Sequence, residues 1–210
     1  MKQHISLAKI SRPRLPGVLA RTRLFRIIDK GRRHPVVWIS GPAGSGKTTL
    51  VGNYLDVHKL PCLWYQLDEG DADLASFFYY MGLAAKKVAP RHKRPLPLLT
   101  PEYGLGIPTF TRRFFENICS RLRSPHVLVF DNYQEVPAES PFHEIIRTGL
   151  SALPGNITAV IISRSEPPRA FAGMLAASRL HVIGGKDLVL TPEESKGVAK
   201  LQDLGMPDGS

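Results

Sequence analysis

Residues 41–48 read GPAGSGKT. Gly41, four intervening residues, Gly46, Lys47 and Thr48 have the spacing of a phosphate-binding loop. In such a loop backbone N–H groups surround phosphate oxygens, a lysine reaches the β- and γ-phosphates, and a hydroxyl ligates magnesium. The flanks are what that chemistry needs. Residues 35–40 (PVVWIS) are a short, β-branched apolar run that predicts a strand, and residues 47–58 (KTTLVGNYLDVH) place Leu50, Tyr54 and Leu55 at helical spacing. A strand that feeds a glycine loop and then a helix aims unpaired N–H groups and the positive helix end at an anion. The expected binding stretch is Gly41, Pro42, Ala43, Gly44, Ser45, Gly46, Lys47, Thr48 and Thr49.

Working outward, residues 125–132 (PHVLVFDN) predict a buried parallel strand with Asp131 at its carboxyl end, the edge where ligands sit in open α/β sheets. Downstream of a phosphate loop, that acid reads as the carboxylate that shares a magnesium ion with Thr48. Residues 157–163 (ITAVIIS) predict another buried strand, with Arg164 at the same edge as a guanidinium aimed at the γ-phosphate. Two further strands are expected at 61–67 (PCLWYQL), followed by Asp68, Glu69, Gly70 and Asp71, and at 180–183.

Amphipathic spacing predicts helices from Thr22, from Asp71 or Asp73 to Val88, and over 109–123, 141–153 and 168–178. Thr191, Pro192 and Glu194 form a capping box opening a last helix that fades by Leu204. Pro13 and Pro16 keep the chain before Thr22 extended, and residues 18–24 are expected against the nucleotide base. Residues 89–108 hold five prolines and read as a surface connection.

Hydrolysis also needs a group that orients or deprotonates water. Asn132, beside Asp131, has no carboxylate. Glu69 and Glu135 are the candidate bases, and an imperfectly placed base implies slow turnover.

Composition sets the outer bounds. A chain of 210 residues with 43% hydrophobic residues is enough for one α/β domain with a small appendage. No apolar run reaches the length of a membrane span and residues 1–10 lack a signal-peptide core, so a cytoplasmic protein without a membrane partner is expected. Cys62, Cys119 and the seven histidines show no metal-ligand spacing. The net charge is +10, from 28 Lys and Arg against 18 Asp and Glu. The basic groups at 12–26, 31–34 and 91–94 come without a recognition-helix or zinc-finger pattern, which reads as a solvated basic surface.

The ordered segments SRPRLPGVLARTRLF, SGPAGSGKTTL, LWYQLDEGDAD, LLTPEYGLGIPTFTRRFF, VLVFDNYQEVP, VIISRSEPP and LVLTPEES resemble the STAND-class ATPase domain of MalT-like, LuxR-type bacterial transcription regulators. The resemblance implies a switch: ADP holds the protein inactive, while ATP with an inducer drives self-association and transcription activation. It matches Arg21 to the arginine of the base-side segment, Lys47 and Thr48 to the phosphate and magnesium residues, Asp131 to the Walker-B acid, and Arg164 to a sensor arginine. Thr22 stands where the family often has Glu, and Asn132 where an acid is common. The family's winged-helix region, helical-repeat sensor and DNA-binding helix-turn-helix have no counterpart here. The GMP at 205–207 comes too early to be the winged-helix motif.

The resulting expectation is an α/β, three-layer P-loop NTPase sandwich with a mainly parallel five-stranded sheet, organised as a base-side segment (1–30), the ATPase domain (31–185) and the start of a helical region (186–210). Its ligands would be ATP or ADP with Mg2+, and it would carry no DNA-binding domain of its own. Two other functions fit parts of the pattern: a small P-loop kinase acting on a metabolite, with 89–108 as its lid, and a basic nucleic-acid-binding module.

Overall fold

The computed structural model describes residues 8–14, 17–100, 103 and 106–205, with the side chains of 202–205 outside that description. Pro16, Pro101, residues 1–7 and the Met206 and Pro207 of the GMP stretch, all used in the sequence reading, lie outside the described residues.

Five strands, β1 (Val36–Ser40), β2 (Cys62–Gln66), β3 (His126–Asp131), β4 (Ile157–Ser163) and β5 (Leu180–Ile183), form one sheet in the order β2-β3-β4-β1-β5. Every pairing is parallel. Each residue of β1, β3 and β4 is buried, as a parallel sheet covered on both faces requires. One face carries α1 (Thr22–Gly31) and α2 (Lys47–Val57), packed through Leu24, Phe25, Ile28, Leu50, Val51 and Tyr54 onto Val37, Val129 and Val160. The other carries α3 (Leu74–Val88), α4 (Ile107–Cys119), α5 (Phe142–Ser151) and the short α6 (Ala172–Ala176), an aromatic-rich layer around Phe77, Phe110, Phe114, Phe115 and Phe142. A last helix, α7 (Pro192–Gly205), follows β5. This is the three-layer α/β sandwich expected, with its C-terminal helix.

Strand order explains the layering. From β1 the chain moves to the far edge at β2, then returns through β3 and β4 and passes β1 to reach β5. Right-handed crossovers place the outgoing helix α2 on one face and the returning helices on the other. The chains leaving β1 and β4 therefore part from adjacent strands toward opposite faces, opening a crevice at their carboxyl ends.

Two local expectations are corrected, and a third, open between Asp71 and Asp73, is decided. Helix α4 begins at Ile107 rather than 109, because Pro108 sits in the first turn, where its missing N–H costs nothing. It stops at Cys119, not 123: the Ser120 hydroxyl donates to the Asn117 carbonyl and the Arg121 N–H to that of Ile118, closing the last turn early. The cap of α3 is Asp73, whose carboxylate accepts from the Ser76 N–H. Asp71 is instead fully buried, accepting from the Tyr65 hydroxyl at 2.6 Å and pairing with Lys9 at 2.8 Å. The single helix expected over 168–178 is a 3-10 turn, Arg169–Phe171, running into α6.

Helices α4 and α5 meet where Gly149 faces Phe115, and a Cβ on Gly149 would overlap the Phe115 ring. Gly149→Ala is therefore expected to destabilise the domain by about 1–3 kcal/mol through overpacking. A urea melt followed by circular dichroism measures it.

Candidate functional site

The loop between β1 and α2 owes its shape to two glycines. Gly44 and Gly46 have φ of +76° and +78°, a region a side chain would strain, and Gly46 is the residue from which α2 starts. Gly41 has a different reason for lacking a side chain: a Cβ there would come within 2.9 Å of the Leu188 side chain and 3.2 Å of the Ser45 hydroxyl.

Lys47 folds back over this loop. Its ammonium donates to the carbonyls of Gly41 (2.7 Å) and Pro42 (2.8 Å) and to the Ser45 hydroxyl (3.2 Å). Burial and then the positive charge of Arg164 lower its pKa, against the opposing pull of Asp131. Thr48 donates its hydroxyl to Asp131 Oδ1 at 3.1 Å, and that oxygen also accepts from the Asn132 N–H at 3.0 Å. Asp131 is almost wholly buried; burial raises its pKa, while Thr48, Asn132 and Lys47 oppose the rise. Asn132 itself has φ of +59°, which turns the chain sharply away after the acid.

Two cavities meet at the loop. A cavity of about 320 Å³ is lined by Lys47, Thr48, Asp131, Asn132, Gln134 and Arg164, with Ala43, Gly44, Gly46 and Thr49 at its floor. The structure thus gathers Lys47, Thr48, Asp131 and Arg164 into one polar space, while Gly41 lines neither cavity and Pro42 and Ser45 line the second. A larger cavity of about 670 Å³ lies on the other side of Gly44 and Gly46, walled by Val18, Leu19, Leu50, Leu188, Val198 and Leu201 and touched by Arg21, Pro42, Ser45 and Thr49. Segment 18–24, expected on the base side, supplies part of that wall.

The apolar cavity is braced by a cluster the sequence did not reveal. Arg21 is buried and donates from one nitrogen to the carbonyls of Leu188 (2.8 Å) and Val189 (3.2 Å) and to Glu194 (3.0 Å). Arg23 reaches the carbonyls of Asp187 and Val189, each at 3.0 Å, and Glu194 at 3.4 Å. Glu194 also closes the expected capping box with Thr191, accepting from its N–H at 3.1 Å while Thr191 Oγ1 accepts from the Glu194 N–H at 3.2 Å. One carboxylate therefore joins α1, residues 187–190 and the first turn of α7. The capping spacing predicted one of its roles; the other joins residues 173 positions apart in the chain.

Glu69 and Glu135 are not brought into the polar cavity. Glu69 is exposed in a 3-10 turn, Glu69–Ala72, after β2. Glu135 accepts a hydrogen bond from the Gln134 amide at 3.0 Å and lines neither cavity. Gln134, not singled out from the sequence, is the polar side chain that does reach the cavity, and its carbonyl oxygen accepts from the Arg164 N–H at 3.1 Å. Gln134 also borders a third space of about 620 Å³, lined by Trp38, Tyr133, His143, Ser163 and Glu166.

The same architecture occurs in solved structures. One is a Signal Transduction ATPase with Numerous Domains (STAND) carrying a tetratricopeptide-repeat sensor, from Pyrococcus horikoshii, with a TM-score of 0.55, 18% identity, and coverage of 94% of this chain and 27% of that one. Another is a Walker-type ATPase of Pyrococcus abyssi, with a TM-score of 0.55, 12% identity, and coverage of 91% of this chain and 60% of that one. The fold is that of P-loop ATPases. The chain spans about a quarter of the first protein and three fifths of the second. No protein-family model matches it. Among the described residues no helix is long and apolar enough to cross a membrane.

The Glu194 cluster has a measurable acid signature. Burial alone would raise the Glu194 carboxyl, but hydrogen bonds from Arg21, Thr191 and Arg23 outweigh it and hold its pKa below the ordinary value. A depressed carboxyl pKa adds stability above the unfolded-state pKa, and that stability is lost as pH falls through the folded value. Glu194→Ala is expected to cost about 1.5–3 kcal/mol at pH 7, the usual loss for hydrogen bonds to a charged group. Denaturant melts of both proteins across pH should show the difference shrinking below about pH 4.5, the ordinary carboxyl range.

Proposed function

We propose that this chain is the nucleotide-binding module of a STAND-class, MalT-like regulator, which binds ATP or ADP with Mg2+ as a switch and hydrolyses ATP slowly. The observation that carries the reading is the convergence of two cations, Lys47 and Arg164, with the buried carboxylate of Asp131 on one small cavity beside a glycine loop. Two like charges facing one space repel unless an anion lies between them, and a chain of phosphates is the anion this loop geometry accommodates.

The donor set fits a magnesium ion. Thr48 Oγ1 and Asp131 Oδ1 lie side by side, and burial leaves the carboxylate in want of positive charge. No three His, Cys, Asp or Glu side chains form a metal cage among the described residues. Magnesium held here would complete its octahedron with phosphate oxygens and water, as it commonly does. The apolar cavity on the other side of Gly44 and Gly46 has the size and lining for a base and ribose, which makes Arg21 a brace of the base-side wall. The exposed position of Glu69 and the Glu135–Gln134 hydrogen bond leave Asp131, taken up with magnesium, as the cavity's carboxylate among the described residues, in keeping with slow turnover. Nucleotide-driven self-association and a cytoplasmic setting belong to the same reading.

A kinase reading has one observation in its favour, the third space beyond Gln134, which could admit a phosphate acceptor. As for the connection 89–106 as its lid, none of its described residues lines either nucleotide-side cavity, and Leu96 rests on α3 near Gly82. Nucleoside-triphosphate turnover in water alone, unchanged by added metabolites, supports the switch over the kinase.

Calorimetric titration of ATP and ADP, with and without Mg2+, tests the central claim. Binding tighter than about 1 mM, roughly −4 kcal/mol, is expected, and weaker binding of both nucleotides sinks the reading. Lys47→Ala should abolish binding, and Asp131→Ala should remove its magnesium dependence. Arg164→Ala should weaken ATP about tenfold more than ADP, the loss of one charge-assisted contact to the γ-phosphate. Turnover of the isolated chain should stay below about 1 per second.

A further inference from the structure

The positive charge of this chain is not evenly spread. Residues 86–123 hold nine Lys and Arg against Glu102 and Glu116, a net +7, and residues 1–40 hold ten against Asp29, a net +9; in the latter segment Lys9, Arg12, Arg21 and Arg23 are paired with acids. The sequence alone breaks these residues into small groups, at the end of α3, in the connection 89–106 and along α4. Folding brings the groups together. Arg121 Nη2 donates to the Pro95 carbonyl at 3.0 Å, which pins the connection against the end of α4. Leu96 packs toward Gly82, tying the connection to α3 as well.

Arg94 and Arg121 are close enough for the charge of the first to act on the second. Lys86, Arg91, Lys93, Arg94 and Arg123 are exposed, and none forms an ion pair with an acid among the described residues. Arg112 and Arg113, also exposed, carry the positive strip back along α4 to roughly 10 Å before its end at Cys119, at 1.5 Å per residue, with Glu116 between. The strip lies on the layer opposite α1 and α2, so the chemistry at Lys47 does not use it.

We propose that this α3–α4 face is a binding surface for the phosphate backbone of a nucleic acid, separate from the nucleotide site. Clustered like charges with no acid paired to them raise the energy of the free protein, and a polyanion relieves that by releasing its own condensed counterions. Arginine predominates, with six of the nine, and its planar fork matches phosphate oxygens in pairs. An acidic protein fits less well, because a protein interface needs an apolar centre. Among the described residues of α3, α4 and the connection between them, the large apolar side chains exposed are Tyr79 and Leu98, on different elements. Tyr79 lies two turns before Lys86 on α3, within the reach of a base that could stack on it. The contacts are to backbone phosphates, so binding is not sequence-specific.

The test is fluorescence anisotropy of a labelled 20-nucleotide DNA, single- and double-stranded, titrated with the full chain from 50 to 300 mM KCl. Saturable binding should weaken with salt at a log–log slope of about −4 to −5, corresponding to five or six phosphate contacts. Arg91→Glu/Lys93→Glu/Arg94→Glu should weaken it at least about tenfold at 100 mM salt and flatten the slope by about 2 or 3. Arg26→Glu/Lys30→Glu/Arg33→Glu, the same charge change on exposed residues of the opposite layer, should have at most a small effect. A urea melt of the 91/93/94 variant followed by circular dichroism serves as the check on folding, and Lys47→Ala should leave DNA binding intact, so this proposal stands or falls apart from the nucleotide reading. Equal loss in both triple variants would reduce the effect to net charge and overturn the assignment, as would absence of binding at 50 mM salt. Competition by polyglutamate as effective as that by unlabelled DNA of equal charge would overturn it in favour of an acidic protein partner.

Discussion

The ladder between β1 and β4, from Val36 opposite Ala159 to Ser40 opposite Ser163, holds two strands level whose chains then separate to opposite faces of the sheet. Because both run the same way and end at the same height, the glycine loop after Ser40 and Arg164 after Ser163 start from one line. Asp131 ends β3, the strand on the other side of β4. Three strand ends thus supply the loop, the guanidinium and the carboxylate, and no flexible segment intervenes in placing them.

Inside that frame, the charges are balanced in a way that depends on what is bound. Lys47 takes its partners from the loop's own carbonyls, and Asp131 takes its own from Thr48 and a backbone N–H. These are short-range, neutral partners for full charges, and both side chains are largely withdrawn from water. Burial shifts both pKa values toward the uncharged forms. A phosphate chain and a magnesium ion would restore the missing opposite charges to each.

What could be read in advance divides along a physical line. The strands were legible because a sheet covered on both faces requires unbroken apolar runs, and residues 36–40, 126–130 and 157–163 are such runs. The glycine loop was legible because φ above zero and close backbone approach leave glycine few substitutes. Asp131 and Arg164 followed from their place at strand ends. Less legible was anything that depends on two distant segments meeting. Asp71 and Asp73 were indistinguishable as the start of α3 until Tyr65 and Lys9 closed around Asp71. Glu194 showed its local capping role and hid its link to Arg21. Gln134 carries no pattern of its own, and its place between two cavities exists only once β3 and β4 are side by side. The end of α4 was overshot because the apolar spacing continues to Leu122, which packs on the core from outside the helix.

The Arg21–Glu194 pair has a mechanical meaning as well as an electrostatic one. It staples a residue before the first strand to one after the last, so the five strands lie within a loop closed by a single carboxylate and two guanidiniums. Tension applied to the chain beyond α7 would reach that staple before it reached any strand. Since Val198 and Leu201 wall the apolar cavity while Leu188 lies against Gly41, such a pull would open the apolar cavity first and leave the sheet assembled. The domain is thus built to yield at one end, with Glu194 as its latch.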